Sequence, residues 1–308
     1  MTPIEAIVAA CFPTESVRST TEPSQGNEKR TSIVTLSSGR QVVIQQSRSE
    51  RSLETQFVLT REIIARTDVP VAAPIAAGAL DGTPYLISEH VAGTDLHTQF
   101  TQYDQTDQRE IAYAFGRVLG TLHDAFQFSR CGDVFATNGS LAVQPSTGDS
   151  WLRSYALAGI DALPDAFGRY REPLTNTINE ANSSENLDAR LYPWDLRPGN
   201  ALVRDGELTA IVDWSQPKAA PPGLSVAKVS HLVAAWYGES PAQLHAALRS
   251  GYRSIRSLPS VSTVEQIAAL THSAVDSNGI ITRPGYPEQR GMAAADFHRT
   301  HFDRILES

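Results

Sequence analysis

Between Leu191 and Pro217 the chain reads LYPWDLRPGNALVRDGELTAIVDWSQP, and this stretch leaves little freedom in how the surrounding protein can be built. Pro198 and Gly199 turn the backbone just before Asn200, so Asp195 and Asn200 belong to one loop. Two short apolar runs, ALVR and LTAIVD, follow with Asp205-Gly206 between them, the pattern of a tight hairpin. Such a hairpin returns Asp213 to the loop it left, beside Asp195 and Asn200. Two carboxylates and an amide oxygen converging in this way suit a hard divalent cation such as Mg2+, which keeps substrate phosphates in its shell. The remaining carboxylate can take a proton from a hydroxyl nucleophile.

The rest of the chain supplies short strands before this stretch and helices around it. Residues 30 to 46 show two β-branched runs split by SSGR, an antiparallel hairpin. Residues 51 to 66 space Leu53, Phe57, Leu59, Ile63 and Ile64 helically, and TDVP ends that helix. APIAAGALDGTPYLISEHVAG reads as strand, Asp-Gly turn and strand, so the N-terminal third is a small sheet with one helix. From Asp107 the apolar residues Ile111, Phe115, Val118, Leu119 and Leu122 share one face of a long core helix. The segment from Cys131 to Arg190 reads as irregular and Gly/Pro-containing, with helical stretches at Trp151 to Leu157 and Tyr170 to Ala181. After Pro222 the chain is again mostly helical. The expected organisation is α+β, with an N-terminal lobe over 1–90 and a mainly helical lobe over 91–308.

Charge and composition narrow the partners. With 26 basic against 34 acidic residues the net charge is -8, which opposes a broad electrostatic grip on nucleic acid or on an anionic membrane. Neither is expected as a partner. No run of about 18 apolar residues spans a membrane, and the N-terminus lacks a basic leader pattern, which points to the cytoplasm. Cys11 and Cys131 stand far apart without a metal-ligand pattern and read as two buried thiols. Among the basic residues only Lys29, Lys218 and Lys228 are lysine. That scarcity fits a salt-adapted cytosol and equally a GC-rich genome.

WDLRPGNALV and AIVDWS resemble the catalytic loop and metal motif of the aminoglycoside phosphotransferase and choline kinase-like family, which has a bilobal protein kinase-like fold. TPYLISEHVAGTDL looks like the strand and hinge joining the two lobes, and GRVLGTLHDAF like the helix ending in Leu-His. The resemblance runs from about Ser32 to Tyr237. It implies an ATP- and Mg2+-dependent phosphotransferase acting on a hydroxyl of a small polar metabolite. Asp195 would accept or orient the hydroxyl, Asn200 and Asp213 would hold Mg2+, and the backbone of Ser88, Glu89, His90 and Val91 would edge the adenine. His90 and His123 are given no chemical role, the second being a packed histidine that closes its helix. Trp194 and Trp214 are read as packing beneath the loop and strand.

The sequence also departs from the family pattern. Gln45 stands where the third strand normally ends in a phosphate-pairing lysine, and Gln56 stands near the place of its glutamate partner. The phosphate-covering loop, EPSQGNEKRTSI, has one glycine, Gly26, and Lys29 or Arg30 is the candidate for the missing charge. Pro193-Trp194 replaces the usual His-Gly before the loop aspartate. Lys228 falls where an acidic residue is expected; it reads as a solvated helix residue, with a phosphate anchor as the alternative. These changes sustain a second reading, a nucleotide-binding pseudokinase with a regulatory or binding role. The family places the acceptor pocket in the C-terminal helices, here about Ser230 to Ser308. His231, Glu239, His245, Asp276, Asp296 and His298 there name no single acceptor, and the segment lacks the clustered carboxylates a cationic aminoglycoside wants. Oligomeric state is not written in the sequence.

Overall fold

The computed structural model describes residues 2–22, 29–144, 151–181, 188–237, 241–276, 278–283 and 288–307. The N-terminal part comprises helix α1 (Ile4–Cys11), strands β1 (Val17–Thr21), β2 (Arg30–Leu36) and β3 (Gln41–Gln46), helix α2 (Glu50–Arg66), and strands β4 (Pro74–Leu80) and β5 (Thr83–Glu89). Its five strands form one antiparallel sheet in the order β1-β2-β3-β5-β4. The β2–β3 hairpin pairs Ile33 with Val43 and Val34 with Val42, so Val34, Leu36, Val42 and Ile44 all face inward. The period-two alternation of the sequence thus becomes one dry face and one wetter face carrying Val43 and Gln45. Helix α2 starts at Ser49, whose side chain accepts a hydrogen bond from the Ser52 amide.

Two elements here correct the expectation of a sheet with one helix. Helix α1 lays Ile4, Ile7 and Val8 against Val34, Leu36, Val42 and Ile87, and β1 adds an edge strand to β2. Cys11 is half-buried with its thiol directed to the Tyr85 hydroxyl at 3.3 Å, and Cys131 is half-buried and unbridged, so neither is the fully buried thiol expected.

Next come β6 (Thr94–Asp95), α3 (Leu96–Gln99), α4 (Gln105–Ala125), β7 (Gln127–Phe128), β8 (Gly132–Thr137), β9 (Ser140–Val143), α5 (Trp151–Asp161) and α6 (Gly168–Glu180). The chain continues through β10 (Ala189–Tyr192), β11 (Ala201–Arg204), β12 (Glu207–Ile211), β13 (Lys218–Ala220), α7 (Pro222–Ser230), α8 (Pro241–Arg253), α9 (Thr263–Thr271), β14 (Thr282–Arg283), β15 (Gln289–Arg290) and α10 (Met292–Leu306). The larger core gathers Phe115, Leu119 and Leu122 of α4 with Leu248 and Tyr252 of α8 and with Leu196 and Trp214 from the loops flanking β11 and β12. A glycine on each helix makes the α4–α8 crossing close: a Cβ at Gly116 would run into the Leu248 carbonyl, and one at Gly251 into that of Tyr113. His123 is completely buried, bonded to the Tyr252 hydroxyl at 2.8 Å, and burial lowers its pKa to about 3, so it packs as a neutral ring.

The segment read as irregular contains a hairpin, β8–β9, turning at Asn138-Gly139 with both residues at positive φ. It braces α2: the Ala136 amide donates to Thr55 Oγ1 at 3.0 Å, and Arg51 lies over the Phe135 ring at 4.1 Å. After α7 the helix widens into a π-helical turn over His231–Ala235, a departure that often marks functional ground. Among the described residues no helix is long and apolar enough to cross a membrane.

Candidate functional site

The loop between β10 and β11 and the end of β12 meet as the sequence requires. Asn200 closes a short 3-10 turn over Pro198–Asn200, and its Nδ2 donates to the Asp195 carbonyl at 2.9 Å and to Asp195 Oδ2 at 2.8 Å. That commits the nitrogen end of the amide and leaves Oδ1 as the oxygen able to meet a cation. The Val212 amide donates to the Asn200 carbonyl at 2.9 Å, stitching the hairpin end to the loop. Asp205 and Gly206 both take positive φ, 54° and 82°, the geometry of a tight two-residue hairpin turn. Asp213 follows β12 at φ 56°, a left-handed conformation that costs energy in a non-glycine residue and redirects its side chain out of the strand. Trp214, 5% exposed, bonds back to the Ile211 carbonyl at 2.9 Å and packs beneath it, as expected.

Arg197 is a participant the sequence reading passed over. Its Nε donates to both oxygens of Asp195, at 2.9 and 3.0 Å, fixing the carboxylate's rotamer. Burial works against the guanidinium, but Asp195 and the Tyr237 hydroxyl it bonds hold it firmly protonated. Tyr237, its own ionisation pushed up to about 12 by burial, is bonded in turn to His97 Nδ1 at 2.8 Å. A chain of polar contacts thus runs from the residue after the π-helical turn's C-cap to the loop carboxylate. Its only sequence signal was a basic residue two positions after Asp195.

On the N-terminal side, Gln45 faces the site from β3 and its Oε1 accepts from Gln56 Nε2 at 3.0 Å. Gln56 Oε1 accepts from Lys29 Nζ at 2.7 Å, and the same ammonium lies 2.8 Å from Asp213 Oδ1. Lys29 stands just ahead of β2 with its side chain 8% exposed, against 44% for Asp213. Burial would raise the Asp213 carboxyl, but the Lys29 ammonium outweighs it and the pKa lies below the ordinary carboxylate value. Arg30, the other candidate, pairs with Glu22 at 2.7 Å instead. Gly26 lies outside the described residues.

Of the residues expected at the hinge, Ser88 and Glu89 end β5, and His90 and Val91 follow it without regular structure. The Glu89 amide is committed to the Ala73 carbonyl at 2.8 Å and that of His90 to Gln41 at 3.4 Å, while the Glu89 carboxylate pairs with Arg40. A purine edge here would therefore meet carbonyls and Val91 rather than those two amides.

Lys228 is not the solvated helix residue expected: it is 2% exposed on α7. Its Nζ donates to the His272 carbonyl at 3.0 Å and lies 4.3 Å from the centre of the Trp194 ring. Burial depresses its pKa to about 7, partly opposed by Asp195. Trp194 in turn donates to the Tyr155 hydroxyl at 3.2 Å. Further along, the histidines of the C-terminal segment are packing groups: His231 accepts from Trp236 Nε1 at 3.0 Å and His298 bonds the Thr282 carbonyl at 2.9 Å. Glu239 lies outside the described residues.

The pocket between Trp194–Asp195 and Asp213–Pro217 holds about 10 Å³, space for one water. Asn200 Oδ1 and the Asp213 carboxylate are hard oxygen donors of the kind Mg2+ takes. Among the described residues no group of three or more His, Cys, Asp or Glu could hold a metal unaided, so phosphate or water oxygens would have to complete its shell.

The model of the phosphotransferase enzyme family matches residues 19–261, a wider span than the motifs alone mark out. No curated protein matches the sequence. Among solved structures, a thermostable mutant of aminoglycoside phosphotransferase APH(4)-Ia in ternary complex with AMP-PNP and hygromycin B superposes with a TM-score of 0.68 at 17% identity, over 99% of this chain and 98% of that one. An aminoglycoside phosphotransferase bound to GDP and kanamycin gives 0.59 at 16%, covering 98% and 96%. The macrolide 2'-phosphotransferase of Brachybacterium faecium gives 0.57 at 13%, covering 98% and 97%. At such identities the likeness establishes a shared fold, the bilobal one expected.

Proposed function

Because the chain belongs to the phosphotransferase enzyme family, we propose that it moves the γ-phosphate of ATP, with Mg2+, to a hydroxyl of a small polar metabolite. The observation that carries this reading is the Lys29 ammonium, bonded at once to Gln56 and to Asp213. A cation occupies the side of the cleft where Gln45 leaves the third strand without one, so the charge needed to draw in phosphate has moved rather than vanished. We divide the lobes near residue 90: 1–90 carries Lys29 and covers the nucleotide, and 91–308 carries the catalytic loop. We place the reaction in the cytoplasm.

The roles follow from the contacts. Asp195 receives the acceptor hydroxyl and takes its proton on a carboxylate oxygen as the new oxygen–phosphorus bond forms and the bond from the γ-phosphorus to the departing ADP breaks, a contribution of roughly 10²–10⁴-fold. Arg197 holds that carboxylate in one rotamer and, fully charged, stabilises it before the proton arrives. Asn200 Oδ1 and Asp213 would hold Mg2+, which when bound neutralises phosphate charge. On nucleotide entry Lys29 exchanges the Asp213 carboxylate for phosphate oxygens, freeing Asp213 for the metal.

A binding-only reading draws on one feature, the clamping of both Asp195 oxygens by Arg197, which occupies the atoms that would have to meet the acceptor hydroxyl. Turnover separates the two. Purified protein, ATP and Mg2+ with a pooled library of hydroxyl metabolites should release ADP in an acceptor-dependent way, and Asp195→Ala should abolish it. Nucleotide binding without ADP release at either low or molar salt would establish the binding-only reading.

A further inference from the structure

The chain has three lysines, and among the described residues one of them, Lys228, meets no carboxylate at ion-pair distance. Lys29 is paired with Asp213, and Lys218 with Asp133 at 2.6 Å. Arg197 is paired with Asp195. Lys228 has no carboxylate at ion-pair distance among the described residues; its contacts are one carbonyl and one indole face. A buried charge without a counter-ion is costly to a fold. Its ammonium lies 4.3 Å from the centre of the Trp194 ring, and Trp194 lines the cleft beside Asp195.

Trp194, which lines the cleft, is joined to an aromatic wall through its bond to the Tyr155 hydroxyl. Trp151 stacks on Tyr155 with ring centres 4.8 Å apart, Tyr155 stacks on His272 at 3.9 Å, and the Lys218 ammonium lies 5.9 Å from the Tyr155 centre. His272 adds no charge, because burial lowers its pKa to about 4. Near this wall, among the described residues, are Lys218 paired with Asp133, Arg197 paired with Asp195, and Lys228, which no carboxylate meets at ion-pair distance although Asp195 favours its charged form.

We propose that this wall is the acceptor subsite, and that the unpaired Lys228 behind it selects a hydroxyl acceptor carrying an anionic group. The proposal rests on the phosphotransferase reading for the word acceptor, though the charge argument stands without it. An anion on the cleft side of the indole lies about 8 Å from the ammonium, and at an effective dielectric near 20 their attraction is worth roughly 10- to 30-fold in affinity. Lys228 need not touch the ligand, since an aromatic wall transmits the field that water would screen. A polycationic acceptor is repelled by the same amount.

Binding in the absence of nucleotide tests this. The probes are two matched sets that differ only in charge: hydroxymethyl-benzoate, its primary amide and the corresponding benzylamine; and glycerate, glyceramide and aminopropanediol. Calorimetry should show the carboxylate of at least one set binding about tenfold or more tighter than its amide, with the amine weakest. Lys228→Met should erase that order and Lys228→Arg should keep it, with circular dichroism verifying that both variants are folded. The carboxylate preference should also fade as pH rises through about 7, where Lys228 loses its proton. Equal affinities, a preference for the amine, no binding by any probe, or a preference that survives Lys228→Met would each overturn the proposal. ADP release is scored separately: charge-selective binding without turnover would sink the kinase reading and leave the subsite standing, whereas turnover of cationic acceptors would do the reverse.

Discussion

Lys29 Nζ lies 2.8 Å from Asp213 Oδ1, a contact between residues 184 positions apart that bolts the start of β2 to the end of β12. The ammonium is almost fully shielded and the carboxylate is not, so an arriving phosphate can compete for the lysine while the carboxylate turns to a metal. Resting-state pair and working-state ligands are then the same two side chains, each with a different partner.

Lys29→Met should therefore cost roughly 10²–10³-fold in kcat, with ATP affinity weakened as well. Rebuilding the family's ion pair elsewhere gives a sharper test: Gln45→Lys with Gln56→Glu, added to Lys29→Met, should restore a substantial part of the loss. Steady-state kinetics and nucleotide calorimetry on the single and triple variants decide it. A triple variant no better than Lys29→Met would mean that the site needs the cation where Lys29 puts it.

The same pair makes an acid-stability prediction. Asp213 has its folded pKa depressed by Lys29, so its contribution is present above the unfolded carboxylate value and is lost as pH falls through the lower folded one. Melting curves between pH 6 and 3 should show wild type losing more stability below about pH 4 than Asp213→Asn does. Parallel curves would show the pair to be energetically silent, as surface pairs often are.

Arg197 is predicted to act by positioning. Arg197→Met should lower kcat by roughly 10–100-fold through misplacement of Asp195 and leave the KM for ATP little changed. A purely structural role would move stability and leave kcat unchanged in the folded protein; Arg197→Lys, which keeps a cation beside Asp195, should recover part of the kcat loss.

Much of the fold was legible because its signals are local. The β2–β3 and β4–β5 hairpins, α2, α4 and the β11–β12 hairpin each carry their own periodicity and turn residues within a short window. The β8–β9 hairpin carried one too, Asn138-Gly139 between alternating runs, but the surrounding Gly and Pro masked it as an irregular segment. Helix α1 and strand β1 were hidden differently, since Val17 finds its place only by pairing with Leu36. Within the site, Asp195, Asn200 and Asp213 could be read from spacing. Lys29 was readable only as a candidate, because its contacts cross to residues remote in sequence. Lys228 was misread because nothing in GLSVAKVSHLV discloses that α7 is buried on nearly every side.

The helix crossing between α4 and α8 gives a prediction independent of chemistry. Gly116→Ala puts a methyl group into the Leu248 carbonyl and Gly251→Ala one into that of Tyr113. Backbone cannot swing aside as a side chain can, so each should cost about 1–3 kcal/mol or more by overpacking, despite alanine's better helix propensity. Gly168→Ala, with open space around its Cβ position, is the control and should be neutral or slightly stabilising in a urea titration.

Lys228 should lower stability in a pH-dependent way. Its folded pKa is about 7 against 10.5 for the free side chain, so the folded protein resists holding the proton that the unfolded chain keeps. Between those values the unfolded state binds more protons, and stability rises with pH. Below about pH 7 both states are protonated and the full cost of a buried, unpaired ammonium is present. Lys228→Met, similar in length and without charge, should therefore stabilise the protein at pH 6, by about 1–4 kcal/mol on the precedent of buried charges replaced by apolar groups. The gain should shrink toward pH 10, where wild type no longer carries the charge. If Lys228→Met instead destabilised the protein equally at both pH values, the Trp194 face and the His272 carbonyl would be compensating the ammonium in full. The lysine would then be a structural pin on α9. If the stabilisation appears as expected, the fold is retaining a charge that weakens it, and a residue kept at that cost beside Asp195 has its explanation in what the cleft binds.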